Sequence, residues 1–297
     1  MASPPDKITQ YVGRFAPSPT GSLHLGSLVA ALGSFLDARS RGGRWLLRLE
    51  DLDRTRLVPG SAERMLRTLE AFGLTWDGAV EWQSAQLPRY CAALERLAAA
   101  GLTYPCSCTR RERANQGGYP GTCRAGPTRP GPTATRFRVS EVLIEFTDRA
   151  QGRCRFHLGE RGDVIVRRRD GAFAYQLAVV VDDARQGVTD VVRGADLLDS
   201  TPWQVALQQA LQLPTPRYLH LPVAVEADGK KLAKSKHSVP VDPRAGGGAL
   251  LHQALTLLRQ QPPAGLQPEL PPVVLEWACR HWDPGRLAGV SQVRVPG

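Results

Sequence analysis

The apolar residues that follow His24 recur with the period of an α-helix. They occupy the positions Leu25, Leu28, Val29, Leu32, Phe35 and Leu36. Ahead of them, Pro17 and Pro19 favour an extended backbone, and Thr20 and Ser22 are side chains of the kind that cap helix N-termini. The pattern predicts an extended segment, a tight turn and then the first turn of a helix.

The next residues continue the alternation of strand and helix. A short apolar strand, Leu46–Leu49, ends in the acids Glu50 and Asp51, and two amphipathic helices are predicted at residues 61–72 and 88–100. This order is typical of the first half of a Rossmann-like α/β fold. Such a fold presents its ligand-binding groups at the carboxyl edge of the sheet.

The second half of the pattern is less regular. Between residues 135 and 181, alternating apolar positions and a turn at Asp170-Gly171 predict hairpins. An apolar run near residues 178–181 predicts that the sheet resumes there, so that Asp182 and Asp183 follow a strand, where they could bind a metal or contact backbone and arginine groups. Further helices are predicted at residues 202–211, 248–260 and 273–282.

The composition adds a strong positive charge. The 297 residues include 38 Lys and Arg against 28 Asp and Glu, a formal net charge of +10. This charge suits a polyanionic partner such as a nucleic acid, and a generally basic surface is the alternative. No stretch has the length and apolarity of a membrane span or the pattern of a signal peptide. We therefore expect a cytoplasmic protein without a membrane partner, and a monomer.

Two segments carry groups suited to a nucleoside triphosphate. A helix that begins near His24 directs unpaired N–H groups and a partial positive charge at phosphates, and Gly26 leaves the backbone open to an adenine ring. In the lysine-rich residues 230–236, Lys234 is the cation best placed to stabilise a pyrophosphate leaving group. Taken singly, the first segment could be an ordinary helix cap and the second a solvated surface loop.

The two segments resemble the signatures known as HIGH and KMSKS in class I aminoacyl-tRNA synthetases. They read His24-Leu25-Gly26-Ser27 and Lys231-Leu232-Ala233-Lys234-Ser235. Ser27 stands where the first motif has its second histidine, and Ala233 stands where the family often has serine. The resemblance implies an ATP site in which His24 and Lys234 are catalytic and Mg²⁺ arrives with ATP. Its residues are His24, Gly26, Ser27, Lys231 and Lys234.

Three more segments, residues 46–56, 173–183 and 191–202, resemble the glutamyl branch of this family. A guanidinium holds a carboxylate through two hydrogen bonds, which favours Arg14 and Arg193 as partners of an acidic amino acid. The resemblance implies a pocket in which Glu50 takes the ammonium group, formed by Arg14, Phe15, Ala16, Pro17, Ser18, Glu50, Tyr175 and Arg193. For each of them a structural salt bridge or, for Tyr175, a packed ring is the alternative.

The six cysteines of a chain without a signal peptide indicate thiols or metal ligands rather than disulfides. Cys106, Cys108 and Cys123 lie in a Gly-, Pro- and Arg-rich stretch that has no sustained apolar pattern, so one structural zinc ion per chain is an economical way to fold it. Three thiolates leave a fourth ligand open. The resemblance implies that Tyr119 is this ligand. Cys154 and His157, farther along the chain, are its competitors, and reduced free cysteines are the alternative to a metal.

The segment after Pro240 is too short for the large anticodon-binding module of full-length glutamyl-tRNA synthetases. We expect a catalytic core of residues 1–104 and 161–240, an inserted zinc-containing module of residues 105–160, and a helical appendage of residues 241–297. This organisation resembles the truncated bacterial paralogues of the glutamyl enzyme. The resemblance implies that ATP activates L-glutamate without tRNA and that glutamate passes to queuosine in the anticodon of tRNA(Asp). A truncated synthetase that charges a tRNA 3′ end and a non-catalytic tRNA-binding paralogue are the alternatives.

Overall fold

The computed structural model describes residues 10–109, 112, 118–226, 229 and 239–295. Within them the strands are β1 (Val12–Phe15), β2 (Arg44–Leu49), β3 (Glu81–Trp82), β4 (Thr103–Cys106), β5 (Ala134–Phe137), β6 (Leu143–Asp148), β7 (Gly152–His157), β8 (Val164–Arg167), β9 (Asp190–Gly194), β10 (Arg217–Leu221), β11 (Val223–Val225) and β12 (Gln292–Arg294). The α-helices are α1 (Leu25–Arg39), α2 (Ser61–Ala71), α3 (Leu87–Ala99), α4 (Leu158–Arg161), α5 (Tyr175–Arg185), α6 (Thr201–Ala210), α7 (Gly247–Leu257) and α8 (Pro271–His281).

Parallel strands form the centre of the fold in two groups. β1, β2 and β3 pair in parallel, and β9 pairs in parallel with β10. The groups meet at Val12 and Thr189, where the Thr189 amide donates to the Val12 carbonyl at 2.9 Å and the Val12 amide donates to Thr189 Oγ1 at 2.9 Å. The carboxyl ends of β1, β2 and β9 therefore lie at one edge, which is where an α/β sheet binds its ligands.

Two antiparallel elements flank the parallel strands. The predicted hairpin is confirmed in β6 and β7, and β6 also pairs in parallel with β10, so the strand order is β7-β6-β10-β9. The predicted turn at Asp170-Gly171 is confirmed as well, with the Arg168 amide donating to the Ala172 carbonyl at 2.7 Å. A separate antiparallel sheet, β4-β5-β8, ends at Cys106 and so leads into the cysteine-rich stretch.

The main hydrophobic core lies between α1, the parallel strands and the C-terminal helices. Leu28, Leu32 and Leu36 of α1 are fully buried, as is Trp45 of β2. Burying each such side chain contributes about 1.5–3 kcal/mol of transfer free energy. The packing is close at Gly33, where an added Cβ would lie 2.6 Å from a methyl group of Leu221. A glycine at this position lets α1 rest directly on β10.

The predicted helices at residues 61–72, 88–100 and 202–211 are confirmed within one residue at each end by α2, α3 and α6. The C-terminal helices predicted at residues 248–260 and 273–282 are confirmed as α7 and α8. Helix α7 packs on α1, and β12 pairs in parallel with β11. The C-terminal segment is thus anchored to the parallel-stranded part of the fold. No helix in the described part of the chain combines the length and apolarity of a membrane span.

Two local predictions were wrong. Helix α1 is capped by His24, not by Thr20 or Ser22, because the chain stays extended two residues longer than the capping pattern indicates. Asp182 and Asp183 lie in helix α5 rather than after a strand. Short apolar runs rich in β-branched residues occur in both buried strands and buried helices, so periodicity alone did not distinguish the two here.

Candidate active site

A cavity of about 670 Å³ opens at the carboxyl ends of β1, β2 and β9, beside the N-terminus of α1. Its lining includes ten residues predicted from the sequence: Arg14, Phe15, Ala16, Ser18, His24, Gly26, Ser27, Glu50, Tyr175 and Arg193. Pro17 is absent from the lining, but its carbonyl accepts the Glu50 amide at 2.9 Å and so fixes the backbone there. Lys231 and Lys234 lie outside the described residues.

Two buried arginines share one carboxylate at the wall of this cavity. Asp183 accepts from Arg14 Nε at 3.1 Å, from Arg14 Nη2 at 3.3 Å and from Arg48 Nη1 at 2.8 Å. Burial raises the pKa of Asp183, but the charges of Arg14 and Arg48 outweigh burial and lower it below its usual range. Arg14 uses Nε and Nη2 for Asp183, its hydrogen-bond partner among the described residues. Its Nη1 is therefore available to a ligand in the cavity.

Glu50 presents a second carboxylate to the same cavity. Its side chain is 11% exposed, and its Oε1 lies 3.5 Å from Arg48 Nη2. Burial raises the pKa of Glu50 to about 7, although Arg48 and Arg14 oppose this shift. A carboxylate poised in this way becomes ionised when an ammonium group arrives beside it. Glu50 can therefore receive a cationic group that enters the cavity.

Arg193 approaches the cavity from β9. Its Nη1 donates to Tyr175 Oη at 3.1 Å and to Gln204 Oε1 at 2.8 Å, and its Nε donates to His220 Nε2 at 3.1 Å. Tyr175, at the start of α5, lines the cavity together with Arg193. The arrangement places a guanidinium and a phenol hydroxyl side by side, which suits a carboxylate ligand.

Sequence reasoning missed the residues behind the cavity wall. Arg48 interrupts the apolar strand β2 and is 1% exposed, a signal that could have indicated buried acidic partners. His220 is a second such residue, and the structure buries it against Arg193. The sequence around His220 carries no spacing that would have revealed this contact.

The N-terminus of α1 forms the other end of the cavity. His24 Nδ1 accepts from the Ser27 amide at 3.2 Å, and its Nε2 lies 3.1 Å from Ser27 Oγ. Burial lowers the pKa of His24, so the ring is neutral and Nε2 carries the proton. An added Cβ at Gly26 would come within 3.2 Å of the His24 ring, so glycine keeps this face open. The free N–H groups of the first helical turn suit an anion.

The cysteine-rich stretch forms a separate cluster. Cys106, Cys108 and Cys123 place their sulfur atoms within 4.8 Å of one another, with Cys108 Sγ and Cys123 Sγ 3.5 Å apart. Tyr119 Oη lies 3.3 Å from Cys106 Sγ and 3.6 Å from Cys108 Sγ. Cys154 is buried on β7 and is not a member of this cluster. The side chains of Cys106, Cys108, Cys123 and Tyr119 therefore lie close enough together to hold one metal ion in a tetrahedral arrangement.

The donors of this cluster suit a cation. Burial opposes ionisation of Cys123, but hydrogen bonds from Tyr119 and from the backbone of Ser107 and Thr128 lower its pKa to about 5. Arg136 Nε donates to Cys106 Sγ at 3.2 Å, so a cationic side chain contacts this sulfur atom. Burial raises the pKa of the Tyr119 hydroxyl, so a phenolate at this position needs a bound cation to stabilise it.

Comparison with known proteins identifies the class. Residues 10–247 match the catalytic domain of class I tRNA synthetases of the E and Q group. The fold is similar to a glutamate tRNA ligase from Elizabethkingia meningosepticum in complex with its amino acid, with a TM-score of 0.79, 25% identity, and coverage of 97% of this chain and 67% of that one. A glutamate-tRNA synthetase from Elizabethkingia anophelis gives a TM-score of 0.78 at 26% identity, covering 96% of this chain and 68% of that one.

The chain therefore belongs to the class I tRNA synthetases, a family of ligases, which confirms the resemblance and the α/β fold. More similar relatives carry the name Glutamyl-Q tRNA(Asp) synthetase. The one from Ectopseudomonas mendocina is 54% identical over 94% of this chain and 95% of its own length. Those from Pseudomonas aeruginosa and Aromatoleum aromaticum are 53% and 52% identical, over 94% and 98% of this chain and 96% and 95% of their own lengths.

Proposed function

We propose that this protein activates L-glutamate with ATP, without tRNA, and transfers the glutamyl group to queuosine in the anticodon of tRNA(Asp). The observation that carries the proposal is a single cavity that combines Arg14, Glu50, Tyr175 and Arg193 with the His24-capped end of α1. The names of the relatives in three organisms support the choice of acceptor.

In the proposed complex, the amino acid lies between the two arginines. The free Nη1 of Arg14 and the Tyr175 hydroxyl, which accepts from Arg193 Nη1, bind its carboxylates, and Glu50 binds its ammonium group. The triphosphate lies against the first turn of α1, where His24 Nε2 and the backbone N–H groups donate to it. The family resemblance assigns Lys231 and Lys234, which lie outside the described residues, to the phosphates as well.

The first chemical step needs no covalent enzyme intermediate. An oxygen of the glutamate α-carboxylate attacks the α-phosphorus of Mg-ATP in line, the bond to the β-phosphate bridging oxygen breaks, and pyrophosphate leaves. The enzyme accelerates this step by holding the two substrates in contact and by stabilising charge on the transferred phosphate. In the second step a hydroxyl of the acceptor nucleoside attacks the activated carbonyl carbon, and AMP leaves with the bonding electron pair.

Pyrophosphate exchange and transfer assays test this proposal together. We expect glutamate alone among the amino acids to drive exchange of labelled pyrophosphate into ATP, in the absence of RNA. With labelled glutamate, we expect label on tRNA(Asp) that contains queuosine and none on its unmodified transcript or on tRNA(Glu). Label at the 3′ end of tRNA(Glu) would identify a truncated glutamyl-tRNA synthetase, and RNA binding without exchange would identify a non-catalytic paralogue.

We infer that the cysteine cluster binds one structural zinc ion per chain through Cys106, Cys108, Cys123 and Tyr119. A bound zinc ion would stabilise the folded form of this stretch, which has little apolar surface of its own to bury. Four protein ligands would leave no position for a reactive water. The residues themselves tie β4 to the segment around Cys123. Since ATP and tRNA are available in the cytoplasm, we infer a cytoplasmic enzyme, and the expected monomeric state stays a prediction.

A further inference from the structure

Arg193 is held from behind by a buried histidine and a buried aspartate that the proposed reaction does not use directly. His220 is 0% exposed and Asp148 is 1% exposed. Asp148 Oδ2 lies 2.6 Å from His220 Nδ1, and Arg193 Nε lies 3.1 Å from His220 Nε2. The three side chains form one line that runs from the end of β6 through β10 to β9.

The hydrogen-bond partners of His220 determine which of its ring nitrogens carries the proton. A guanidinium nitrogen only donates, so His220 Nε2 must accept the hydrogen bond from Arg193 Nε. The ring proton therefore sits on Nδ1 and is donated to Asp148. Burial and Arg193 lower the pKa of His220 more than Asp148 raises it, which agrees with a neutral ring. Asp148 is fixed in turn, since its Oδ1 accepts the amides of Ala150 at 2.9 Å and Gln151 at 2.8 Å.

The rest of the Arg193 guanidinium is also held in place. Nη2 donates to Thr201 Oγ1 at 2.8 Å, and Nη1 donates to Gln204 Oε1 at 2.8 Å. These contacts and the His220 contact fix the plane of the guanidinium. Within that plane, Nη1 reaches Tyr175 Oη at the cavity wall. Loss of the His220 acceptor would leave a charged N–H group buried and unpaired, which favours rotation of Arg193 away from this position.

We propose that His220, oriented by Asp148, is a positioning residue for amino-acid recognition: its neutral Nε2 fixes Arg193 so that the terminal amino groups stay beside Tyr175. The proposal rests on the proposed function, because it assigns Arg193 to the amino-acid substrate. It deepens that function by naming a residue that does not touch the substrate and still determines the affinity for it.

Two substitutions of His220 separate positioning from packing. Both remove the ring, but His220→Gln places an amide oxygen near the former Nε2, whereas His220→Asn places its amide near the former Nδ1. In pyrophosphate exchange we expect His220→Asn to raise KM for glutamate at least about tenfold and to leave KM for ATP within about twofold. We expect His220→Gln to restore KM for glutamate to within about threefold of the parent protein.

Equal KM values for glutamate in the two variants, or a matching rise in KM for ATP, would overturn the positioning role and leave a packing role. Failure of the proposed function is distinguishable from this outcome. If another amino acid drives exchange in the parent protein, the function is wrong, but the contrast between the two variants still tests His220 on that amino acid.

A measurement on the unsubstituted protein covers the case in which both variants fail to fold. The ¹⁵N shifts of the His220 imidazole, assigned through its stacking partner Tyr218 at a centroid distance of 6.0 Å, report the tautomer. A neutral ring with its proton on Nδ1 at neutral pH supports the proposal. A charged ring or a proton on Nε2 would eliminate the acceptor for Arg193 and, with it, the proposal.

Discussion

At the scale of single residues, two carboxylates that line or flank the cavity have pKa values shifted in opposite directions. Asp183 has two arginines at hydrogen-bond distance, and its pKa is lowered despite burial. Glu50 has only a 3.5 Å contact with Arg48, and burial raises its pKa to about 7. Asp183 is therefore a permanent anion that holds Arg14 and Arg48 in place. Glu50 in the free protein is protonated below a pH of about 7 and becomes an anion above it.

This difference predicts the pH dependence of glutamate binding. Below a pH of about 7, Glu50 is protonated in the free protein and must lose its proton to bind the substrate ammonium group. We expect the affinity for glutamate, measured by calorimetry, to fall as the pH drops through this value, by up to about tenfold per unit. Glu50→Gln should bind weakly at every pH without this slope. A slope that persists in Glu50→Gln would assign it to another group.

At the scale of elements, the end of β4 and the segment around Cys123 meet through side chains rather than through a shared sheet. The small cluster of Tyr104, Cys106, Tyr119 and Cys123 is separate from the two larger cores. So small a cluster buries too little apolar surface to stabilise this stretch alone. The guanidinium of Arg136 lies 3.6 Å from the centroid of the Tyr119 ring, and its positive charge favours anionic side chains in this cluster.

We predict that the purified protein contains about one zinc ion per chain and that Cys108→Ser lowers the zinc content to well below half of that value. Loss of one thiolate removes a ligand that no described neighbour replaces. Cys91→Ser is the matched control, because Cys91 is exposed on α3 and lies outside the cluster. Metal analysis by mass spectrometry measures all three proteins. Stoichiometric zinc in Cys108→Ser would mean that the ligands lie elsewhere.

At the scale of the whole molecule, one buried carboxylate joins segments that are distant in the sequence. Asp37 of α1 accepts from Tyr11 Oη at 2.5 Å, from Arg41 Nη1 at 2.6 Å and from both terminal nitrogens of Arg149 at 2.6 and 2.7 Å. Trp282 Nε1, beyond α8, donates to it at 3.0 Å. These contacts join the residue before β1, the turn of the β6–β7 hairpin and the C-terminal segment through a single side chain.

Replacing this carboxylate should destabilise the whole fold. We expect Asp37→Asn to lower the free energy of unfolding by roughly 3 kcal/mol, the lower end for a broken buried pair, because Arg41 and Arg149 remain partly exposed. Denaturant titration measures the change. Asp242→Asn, which removes an exposed pair with Arg244, should leave the midpoint unchanged. Equal midpoints for the parent and Asp37→Asn would contradict the role of Asp37.

Asp37 also predicts how the stability of the fold changes at acidic pH. Burial raises the pKa of Asp37, but hydrogen bonds from Arg149, Tyr11 and Trp282 lower it from 3.8 to about 2. A depressed pKa stabilises the folded state above the unfolded value of 3.8, and this contribution is lost as the pH falls towards about 2. Between pH 3.8 and about 2, the free energy of unfolding should therefore fall less steeply with decreasing pH in Asp37→Asn than in the parent protein.

The sequence by itself determined the alternation of strands and helices, the segment at the N-terminus of α1 and the residues of the candidate pocket. Helix periodicity is local, so helices α2, α3 and α6 were predicted almost to the residue. The pocket residues could be named because two motifs and three further segments resemble one family over most of the chain. These are properties of short stretches, which a linear reading contains in full.

The tertiary structure alone decided which charged groups meet. Arg14 and Asp183 are 169 residues apart, and His220 and Asp148 are 72 residues apart, so no local pattern predicts either contact. The apolar run before Asp182 fits a strand as well as a helix, and packing against neighbouring elements selects the helix. A buried charge is stable only where the fold brings its partner within a few ångströms. That distance is set by the arrangement of all the strands and helices together.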